Sequence, residues 1–264
     1  MKKIIALMLA LALLFCFAGC GEKNVKLIVV AEKESAGESI AQSSDDFKDY
    51  KYVAVDTQSK ALMEVNAGTA DAAVVDYVMS IGSIGKGTDF ENLIVEGDGY
   101  APEEYGIAFR KGSDLTAKIN EIIRELKKDG ELEKIAKTYK LEDILLGDKE
   151  SDAFKEADKD SDYKYVMDKG ELIVGITYFA PMNYLNDDGE LVGFETEFAK
   201  AVAKKLGVTV KFQEISWDAK ETELAAKNID CIWNGMTITE ERLENMSISS
   251  PYMQNKQVKV VKSK

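Results

Sequence analysis

The stretch DCIWNGMTITEERLENM, Asp230–Met246, guides the interpretation of the whole chain. It starts as an apolar strand that ends at Trp233, and a small turn follows. Thr239 is then placed to cap a helix, because threonine is a favoured N-cap and two glutamates follow it in the first helical turn. Arg242 lies one turn into that helix.

The position of Arg242 suits anion binding. A guanidinium held beside the free N–H groups of Gly235 to Thr237 and the Thr237 hydroxyl forms a two-pronged receptor for a small carboxylate. The alternative is a surface arginine that pairs with Glu241 or Glu244, as exposed charges commonly do. This stretch alone leaves both interpretations open.

Composition limits the classes of function. The chain has 264 residues, with 47 acidic and 34 basic side chains and no histidine. This length suffices for one large domain or for two lobes of roughly 100–130 residues each. The acidic surplus argues against a nucleic-acid partner, since no basic excess exists to neutralise phosphates. Without histidine, His-based triads and His-ligated metal sites are excluded, and we expect neither an enzyme, a cofactor nor a metal.

The N-terminus is predicted to be a targeting segment. Two lysines precede the apolar run Ile4–Phe17, which is short for a bilayer span and is followed by small residues. Residues 1–19 are therefore interpreted as a signal peptide. The sequence FAGC resembles a bacterial lipobox, in which Cys20 becomes the lipid-modified first residue and 20–24 the membrane tether. Cys231 is then the remaining thiol, which we expect to be buried.

After the tether, strand and helix signals alternate. This order implies a parallel sheet with right-handed crossovers, in which ligands bind off the carboxyl ends of the strands. Asp76 and the Ser35–Gly37 turn, which opens a helix, both fall at such ends. The alternative for Asp76 is an ordinary helix cap. The predicted strands are Lys26–Ala31, Tyr52–Val55 and Ala72–Val75, with a helix over Lys60–Val65.

The second half repeats this pattern after a connecting region. YGIAFRKGSD, Tyr105–Asp114, is predicted to be a strand and a helix start, and two amphipathic helices follow it. The charge-dense stretch Leu146–Asp162 is predicted to be a solvated linker. A second alternating series then leads into Asp230–Met246, and Gln257–Val261 is a final strand. The sequence therefore predicts an α/β protein with two units.

Several of these segments resemble a known family. GFETEFAKAVAKKL, Gly193–Leu206, is similar to the signature of bacterial extracellular solute-binding proteins of the polar amino-acid type (family 3), the capture subunits of ABC importers. The resemblance implies a two-lobed periplasmic-binding-protein type II (Venus-flytrap) fold. Further blocks that resemble the family are ITYFAPMNY (176–184), NGMTITEERLENMSIS (234–249), AGTADAAVVDY (67–77) and YGIAFRKGSD (105–114).

The order of these blocks differs from the family. The lobe that bears AVVD leads and the lobe that bears GFETEF trails, as a circular permutation would give. We expect the new chain ends to lie near a hinge crossing, so that one of two covalent inter-lobe segments is cut. The predicted ranges are 25–108 for the AVVD lobe (lobe 2), 109–145 for helices returning to lobe 1, 146–162 for the linker and 163–264 for the GFETEF lobe (lobe 1).

The resemblance implies roles for site residues. Arg242, with Gly235 and Thr237, would hold the α-carboxylate of an amino acid, and Asp76 would hold its α-ammonium. These two charges select a zwitterion without recognising its side chain. Phe179 and Trp217 would be aromatic walls, with core packing as the alternative.

The other lobe would add the N–H groups of a helix start. Ser35 and Gly37 match the family there, whereas Glu34 replaces a glycine and would repel a carboxylate if it pointed inward. Lys33 and Tyr178 could also face the cleft. Side-chain specificity is not readable, and the candidate lining residues suit a polar ligand without choosing one: Asn183, Lys220, Glu221, Asn234 and Met236.

The resemblance implies a lipid-anchored, monomeric substrate-binding protein on the outer face of the cell membrane. It would capture a free polar amino acid between its lobes and deliver it to permease subunits. Alternatives are a non-transport sensor, a decayed permuted copy, or a dehydratase-like enzyme whose acid or base would have to be Glu or Asp.

Overall fold

Two β-sheets, each packed against helices, form two lobes in the computed structural model, which describes residues 26–149 and 151–264. The mixed α/β, two-lobed fold class is therefore confirmed. The predicted signal peptide 1–19, the lipid-modified Cys20 and the tether 20–24 lie outside the described residues.

The leading lobe contains the predicted parallel strands. Val29 pairs with Tyr52 on one side and with Ala72 on the other, so the first strand is central to the other two. The strands are β1 (Leu27–Glu32), β2 (Tyr50–Val55), β3 (Ala72–Asp76), β4 (Leu93–Glu96) and β5 (Pro102–Tyr105), and the helices are α1 (Ala36–Ser43), α2 (Gln58–Ala67) and α3 (Tyr77–Ser83). β4, β5 and α3 are absent from the sequence prediction.

The trailing lobe repeats this arrangement. Its strands are β6 (Ala108–Arg110), β7 (Glu171–Ile176), β8 (Tyr184–Leu185), β9 (Leu191–Val192), β10 (Thr209–Glu214), β11 (Cys231–Ile232) and β12 (Met246–Ile248). Its helices are α4 (Leu115–Lys128), α5 (Glu131–Thr138), α6 (Asp162–Lys169), α7 (Phe194–Leu206), α8 (Lys220–Ala225) and α9 (Glu240–Asn245). α4 and α5 both contact α7, which places the connecting helices on this lobe.

Each half of the chain donates one strand to the other lobe. The last strand, β13 (Met253–Lys262), lies antiparallel between β3 and β4 of the leading sheet. β6 lies in the same way between β11 and β12 of the trailing sheet. The strand orders, β2-β1-β3-β13-β4 and β10-β7-β11-β6-β12, are therefore equivalent. The range predicted for the GFETEF lobe, 163–264, therefore includes a strand of the other lobe. Val258 and Val260 of β13 are fully buried in the leading lobe.

The chain crosses between the lobes twice, at Gly106–Ile107 and at Ser249–Tyr252. These crossings lie side by side: the Ser249 N–H donates to the Ile107 carbonyl at 2.8 Å, and the Tyr252 N–H donates to the Tyr105 carbonyl at 3.0 Å. Both crossings are continuous, so the expectation of a cut inter-lobe segment is wrong. The permuted order of the lobes stays a prediction.

The later part of the predicted linker packs on the trailing lobe. The Phe154 ring meets Tyr163 edge-on with centroids 4.7 Å apart, and the Phe154 N–H donates to Glu121 at 3.0 Å. The end of the predicted linker is instead the start of α6, where Asp162 is buried and pairs with Arg110 at 2.8 Å. The dense charge of the segment indicated a solvated linker. One aromatic ring and one buried ion pair are nevertheless enough to fix it on the lobe.

Candidate ligand-binding site

A small cavity lies between the lobes at the carboxyl ends of their parallel strands. Its volume is about 10 Å³, which is close to the minimum that one buried water molecule needs, so the cavity is nearly filled by its own lining. A wider, open groove adjoins it and shares Ser35, Ala36 and Arg242. The cavity is lined by Glu32, Ser35, Ala36, Gln58 and Asp76 from the leading lobe and by Trp217, Asn234, Gly235, Thr237 and Arg242 from the trailing lobe.

Arg242 is fixed in the cavity wall by its own turn. Thr239 caps α9 as predicted, and its hydroxyl accepts the Arg242 N–H at 3.2 Å. The guanidinium donates from Nη1 to the Thr237 carbonyl at 2.8 Å and from Nη2 to the Glu34 carbonyl at 3.2 Å. Arg242 has no ion pair with another described residue, which disfavours the surface-pair alternative. Further guanidinium N–H donors therefore remain for a ligand carboxylate.

The turn before Arg242 offers fewer N–H groups than expected. The Gly235 N–H donates to both carboxylate oxygens of Glu195, at 2.9 and 3.1 Å, so it is not available to a ligand. This corrects the expected role of Gly235. The Thr237 N–H makes no hydrogen bond to another described residue, and its carbonyl orients Arg242. Asn234 faces the cavity with its amide fixed by Thr177, at 2.6 and 2.9 Å.

Glu195 is a residue of the site region that the sequence analysis missed. It lies in the first turn of α7, is 1% exposed, and accepts hydrogen bonds from the Gly235 N–H, the Asn183 side chain and the Tyr252 hydroxyl. Burial raises the pKa of its carboxyl to about 7. Its sequence signal is a glutamate directly after the buried Phe194. Glu195 therefore fixes the turn that carries Arg242, and it is not itself a residue that would contact the ligand.

Asp76 ends β3 and is buried in the cavity floor. Its side chain makes no capping hydrogen bond to α3, which disfavours the helix-cap alternative. Its carboxylate accepts from the amides of Gln58, Asn255 and Gln257, the last at 2.7 Å. Burial raises the pKa of Asp76, while these hydrogen bonds lower it. Neutral amides thus orient a carboxylate that has no cationic partner within the described part of the chain.

Two further acids lie near Asp76. Glu103 accepts from the Thr237 hydroxyl at 3.2 Å and from Gln257 at 3.0 Å, and burial raises its pKa. Glu32, the last residue of β1, is 4% exposed. Burial, followed by repulsion from Asp76, raises the pKa of Glu32 to about 8. The sequence analysis ended this strand one residue too early and so passed over Glu32, although an acid after an apolar strand is the same signal as Asp76.

The two predicted aromatic walls differ in position. Trp217 lines the cavity, with the Arg242 guanidinium 6.0 Å and the Lys220 ammonium 5.0 Å from its ring. Phe179 does not line it. It packs beneath Gly235, where a Cβ on Gly235 would lie 2.6 Å from the Phe179 ring. The expected wall role of Phe179 is therefore corrected to core packing, because the positive φ and missing side chain of Gly235 let the ring fill that space.

The leading-lobe turn contributes a helix start. Ser35 caps α1 by accepting the Glu38 N–H at 3.1 Å, and Ala36 lines the cavity. Gly37 is buried against β3, where a Cβ would lie 2.8 Å from the Val74 carbonyl oxygen. Gly37 therefore lets α1 approach the sheet. Glu34 has φ of +57° and a half-exposed side chain in the outer groove, so its carboxylate does not enter the cavity.

Several polar contacts span the cleft between the lobes. Lys33 pairs with Asp218 at 2.8 Å, and the buried Lys220 ammonium lies 3.5 Å from the Glu34 carbonyl. Together with the bond from Arg242 to Glu34, these contacts close the cavity on one side. The structure is thus that of a closed cleft.

The other candidate lining residues are spread out. Asn183 and Met236 are fully buried outside the cavity, Glu221 lines the outer groove, and Tyr178 is exposed. Cys231 is buried, and burial raises the pKa of its thiol. Over residues 26–149 and 151–264, no cluster of side chains suited to a metal ion occurs. The same residues include no helix with the length and apolarity for a membrane crossing.

Comparison with known families identifies the trailing part of the chain. Residues 172–264 match the family model of bacterial extracellular solute-binding proteins, family 3. The match covers about a third of the chain. The matched segment carries Arg242 and Trp217, so half of the residues that line the cavity lie in the part of the chain that is similar to family 3.

Curated relatives align over the same region. The chain is 40% identical over 88 residues to the L-cystine-binding protein TcyJ of Escherichia coli (strain K12), covering 33% of each chain. It is 36% identical over 85 residues to the arginine-binding extracellular protein ArtP of Bacillus subtilis (strain 168), covering 32% of this chain and 33% of the relative. The chain thus spans about a third of the length of the curated relatives that it matches.

Solved structures also align in part. The arginine-bound form of domain 1 from TmArgBP aligns with a TM-score of 0.32 and 30% identity, covering 37% of this chain and 84% of that chain. A Streptococcus pneumoniae ABC uptake transporter substrate-binding protein with bound histidine aligns with a TM-score of 0.31 and 39% identity, covering 32% and 35%.

Proposed function

We propose that the chain is the substrate-binding protein of an ABC importer and captures a free polar amino acid between its lobes. The observation that carries this proposal is the placement of Arg242 and Asp76 in one small cavity, on opposite lobes. A cation from one side and a carboxylate from the other match the two charges of a zwitterion.

The two groups are prepared for opposite ligand charges. Arg242 is oriented by carbonyl groups, which leave its positive charge uncompensated at contact distance. Asp76 is oriented by neutral amides, which leave its negative charge uncompensated. A zwitterion would compensate both at once, whereas a simple cation or anion would compensate only one, so the arrangement favours an amino acid.

The proposal extends to the setting of the protein. Closure of the lobes on the ligand would be the signal for docking, for which a preference of a few kcal/mol suffices. The chain would be exported, anchored at Cys20 on the outer face of the membrane, monomeric, and would deliver its ligand to permease subunits. The names of the cystine- and arginine-binding relatives support an amino acid as the ligand. The family 3 match supports a role in binding rather than in catalysis.

Calorimetric titration of the full chain in mild detergent against the twenty amino acids and cystine tests this proposal. We expect micromolar or tighter binding of one or a few polar amino acids, with each ligand recovered unchanged. Arg242→Ala should abolish binding without unfolding the protein. Arg124→Ala is the matched control, because Arg124 lies on α4 and contacts Ser151 away from the cavity.

Two outcomes would count against the proposal. No heat from a folded chain would favour a sensor or a decayed copy, and conversion of the ligand would favour an enzyme. Retained affinity in Arg242→Ala would remove the assignment of the carboxylate site.

A further inference from the structure

Glu32 is the one lining acid that a bare zwitterion leaves without an assigned partner. Its side chain lines the cavity, the residue is 4% exposed, and its Oε1 has no hydrogen-bond partner among the described residues. A buried carboxylate oxygen without a partner is costly, and such groups usually meet a donor or a cation in the functional complex.

The sheet places Glu32 beside Asp76. β1 and β3 are adjacent parallel strands, with Val30 paired to Ala73, and the two acids stand at the carboxyl ends of these strands. A ligand whose α-ammonium contacts Asp76 therefore has another part of itself within reach of Glu32.

The protein's own cations do not pair with Glu32. The Lys220 charge lowers the pKa of Glu32, but the Lys220 ammonium is directed at Glu34, 3.5 Å from the carbonyl and 3.8 Å from the carboxylate. No ion pair of Glu32 occurs within the described part of the chain. Around Glu32 stand Asp76 and Gln58 on the leading lobe and Lys220 and Asp218 on the trailing lobe.

The charges of the cavity then define a ligand with one more positive group than a zwitterion. The α-carboxylate pairs with Arg242 and the α-ammonium pairs with Asp76, which leaves the Glu32 carboxylate without a partner. We propose that Glu32 pairs with the ligand's side chain and selects an amino acid whose side chain carries a positive charge. This inference rests on the proposed function, since it deepens the chemistry of the same site.

Matched ligand pairs test the inference in the unaltered protein. Lysine and norleucine differ by the side-chain ammonium, and arginine and citrulline differ by the charge of the terminal group. Calorimetry of the full chain in mild detergent should give at least one cationic member a dissociation constant about 30-fold or more below that of its neutral counterpart. Ratios near one for both pairs would overturn the inference.

Glu32→Gln tests the residue. It should remove most of the preference, weakening the cationic ligand by about 30-fold or more and leaving the neutral counterpart within about threefold. Glu96→Gln is the matched control, because Glu96 is a solvent-exposed acid of the same lobe that pairs with Lys259. Equal weakening of both ligands would overturn the inference, since Glu32 would then hold the α-ammonium.

The outcomes separate the two proposals. Tight binding of a neutral polar amino acid, with no preference for a cationic side chain, overturns the role of Glu32 and leaves amino-acid capture intact. No binding of any amino acid by the folded chain overturns both. The ligand ratios of the unaltered protein decide the question even if Glu32→Gln does not fold.

Discussion

The two lobes share one strand order but present opposite charges to the cavity between them. The leading lobe lines the cavity with the acids Glu32 and Asp76, whereas the trailing lobe lines it with Arg242 and places Lys220 in the adjoining groove. The shared topology brings the carboxyl ends of both sheets to the cleft, so it decides where a ligand lies. The side chains at those ends decide which ligand charges are accepted.

The acidic side is nevertheless built by both halves of the chain. Asn255 and Gln257, which orient Asp76, lie on β13 and so come from the trailing half. The Gly235 turn on the cationic side is held by Glu195, which is itself buried. Each lobe therefore uses neutral or buried partners to fix the group that it presents to the cavity.

Asp76→Asn should have the largest effect on the charge difference between the two lobes. The change removes the carboxylate and turns an amide donor toward either Gln58 or the pair Asn255 and Gln257. We expect amino-acid binding to weaken by about 100-fold or more in calorimetry. Asp56→Asn, an exposed acid of the same lobe, is the control and should bind normally. Unchanged binding by Asp76→Asn would exclude Asp76 as the ammonium site.

The pH dependence of ligand affinity should distinguish Glu32 from the neighbouring acids. Because the pKa of Glu32 is raised to about 8, its carboxyl must lose a proton before it pairs with a cationic side chain. Affinity for such a ligand should therefore rise with pH by up to about tenfold per unit up to pH 8 and then level off. The groups that face Glu32 are Asp76, Gln58, Lys220 and Asp218. Glu32→Gln should reduce the slope, and an equally steep profile in that variant would assign the slope to another group.

The stability of the ligand-free protein should change in the opposite direction. The pKa of Glu32 rises from 4.5 to about 8 on folding, so its stabilising contribution is complete below pH 4.5 and is lost as pH rises through 8. Glu32→Gln should therefore raise the free energy of unfolding at pH 7 relative to that at pH 5 by about 1–3 kcal/mol. Urea denaturation at the two pH values measures this, and an unchanged difference would contradict it.

The smallest effect is expected from the ion pair that spans the cleft. Lys33 and Asp218 are both solvent-accessible, so Lys33→Ala should change ligand affinity by less than about threefold, and less at high salt. Lys164→Ala, which removes an exposed pair with Asp168 on α6, is the control. A larger loss in Lys33→Ala would show that this pair contributes to closure.

Local sequence patterns predicted many of the strands and helices. They did not predict which strands pair when the partners lie far apart in the chain. Apolar runs located β1 and β3, and the capping residue Thr239 located the start of α9. No local pattern indicates that β13 inserts between β3 and β4, because partner choice depends on the whole fold. The connecting segment was misjudged for a similar reason, since Phe154 finds its partner outside it.

The candidate site divides in the same way. Arg242 and Asp76 were predictable because each follows a strand at a position where ligands commonly bind, and both line the cavity. The use of the Gly235 N–H by Glu195 was not predictable, because α7 and the turn lie 40 residues apart in sequence. Glu32 was overlooked through a one-residue error at the end of β1, which hid an acid at the edge where Asp76 was recognised.

The late position of β13 affects the order in which the lobes can mature. Synthesis makes β1 to β5 first, yet the strand that fills the gap between β3 and β4 is β13, which follows every strand of the trailing sheet in the chain. Until β13 has been made, the early sheet has two unpaired inner edges, which are open to wrong partners. The trailing sheet has all its strands once Ile248 has been made. The lobe whose strands are synthesised first is therefore completed after the trailing sheet, once residues 253–262 have been made.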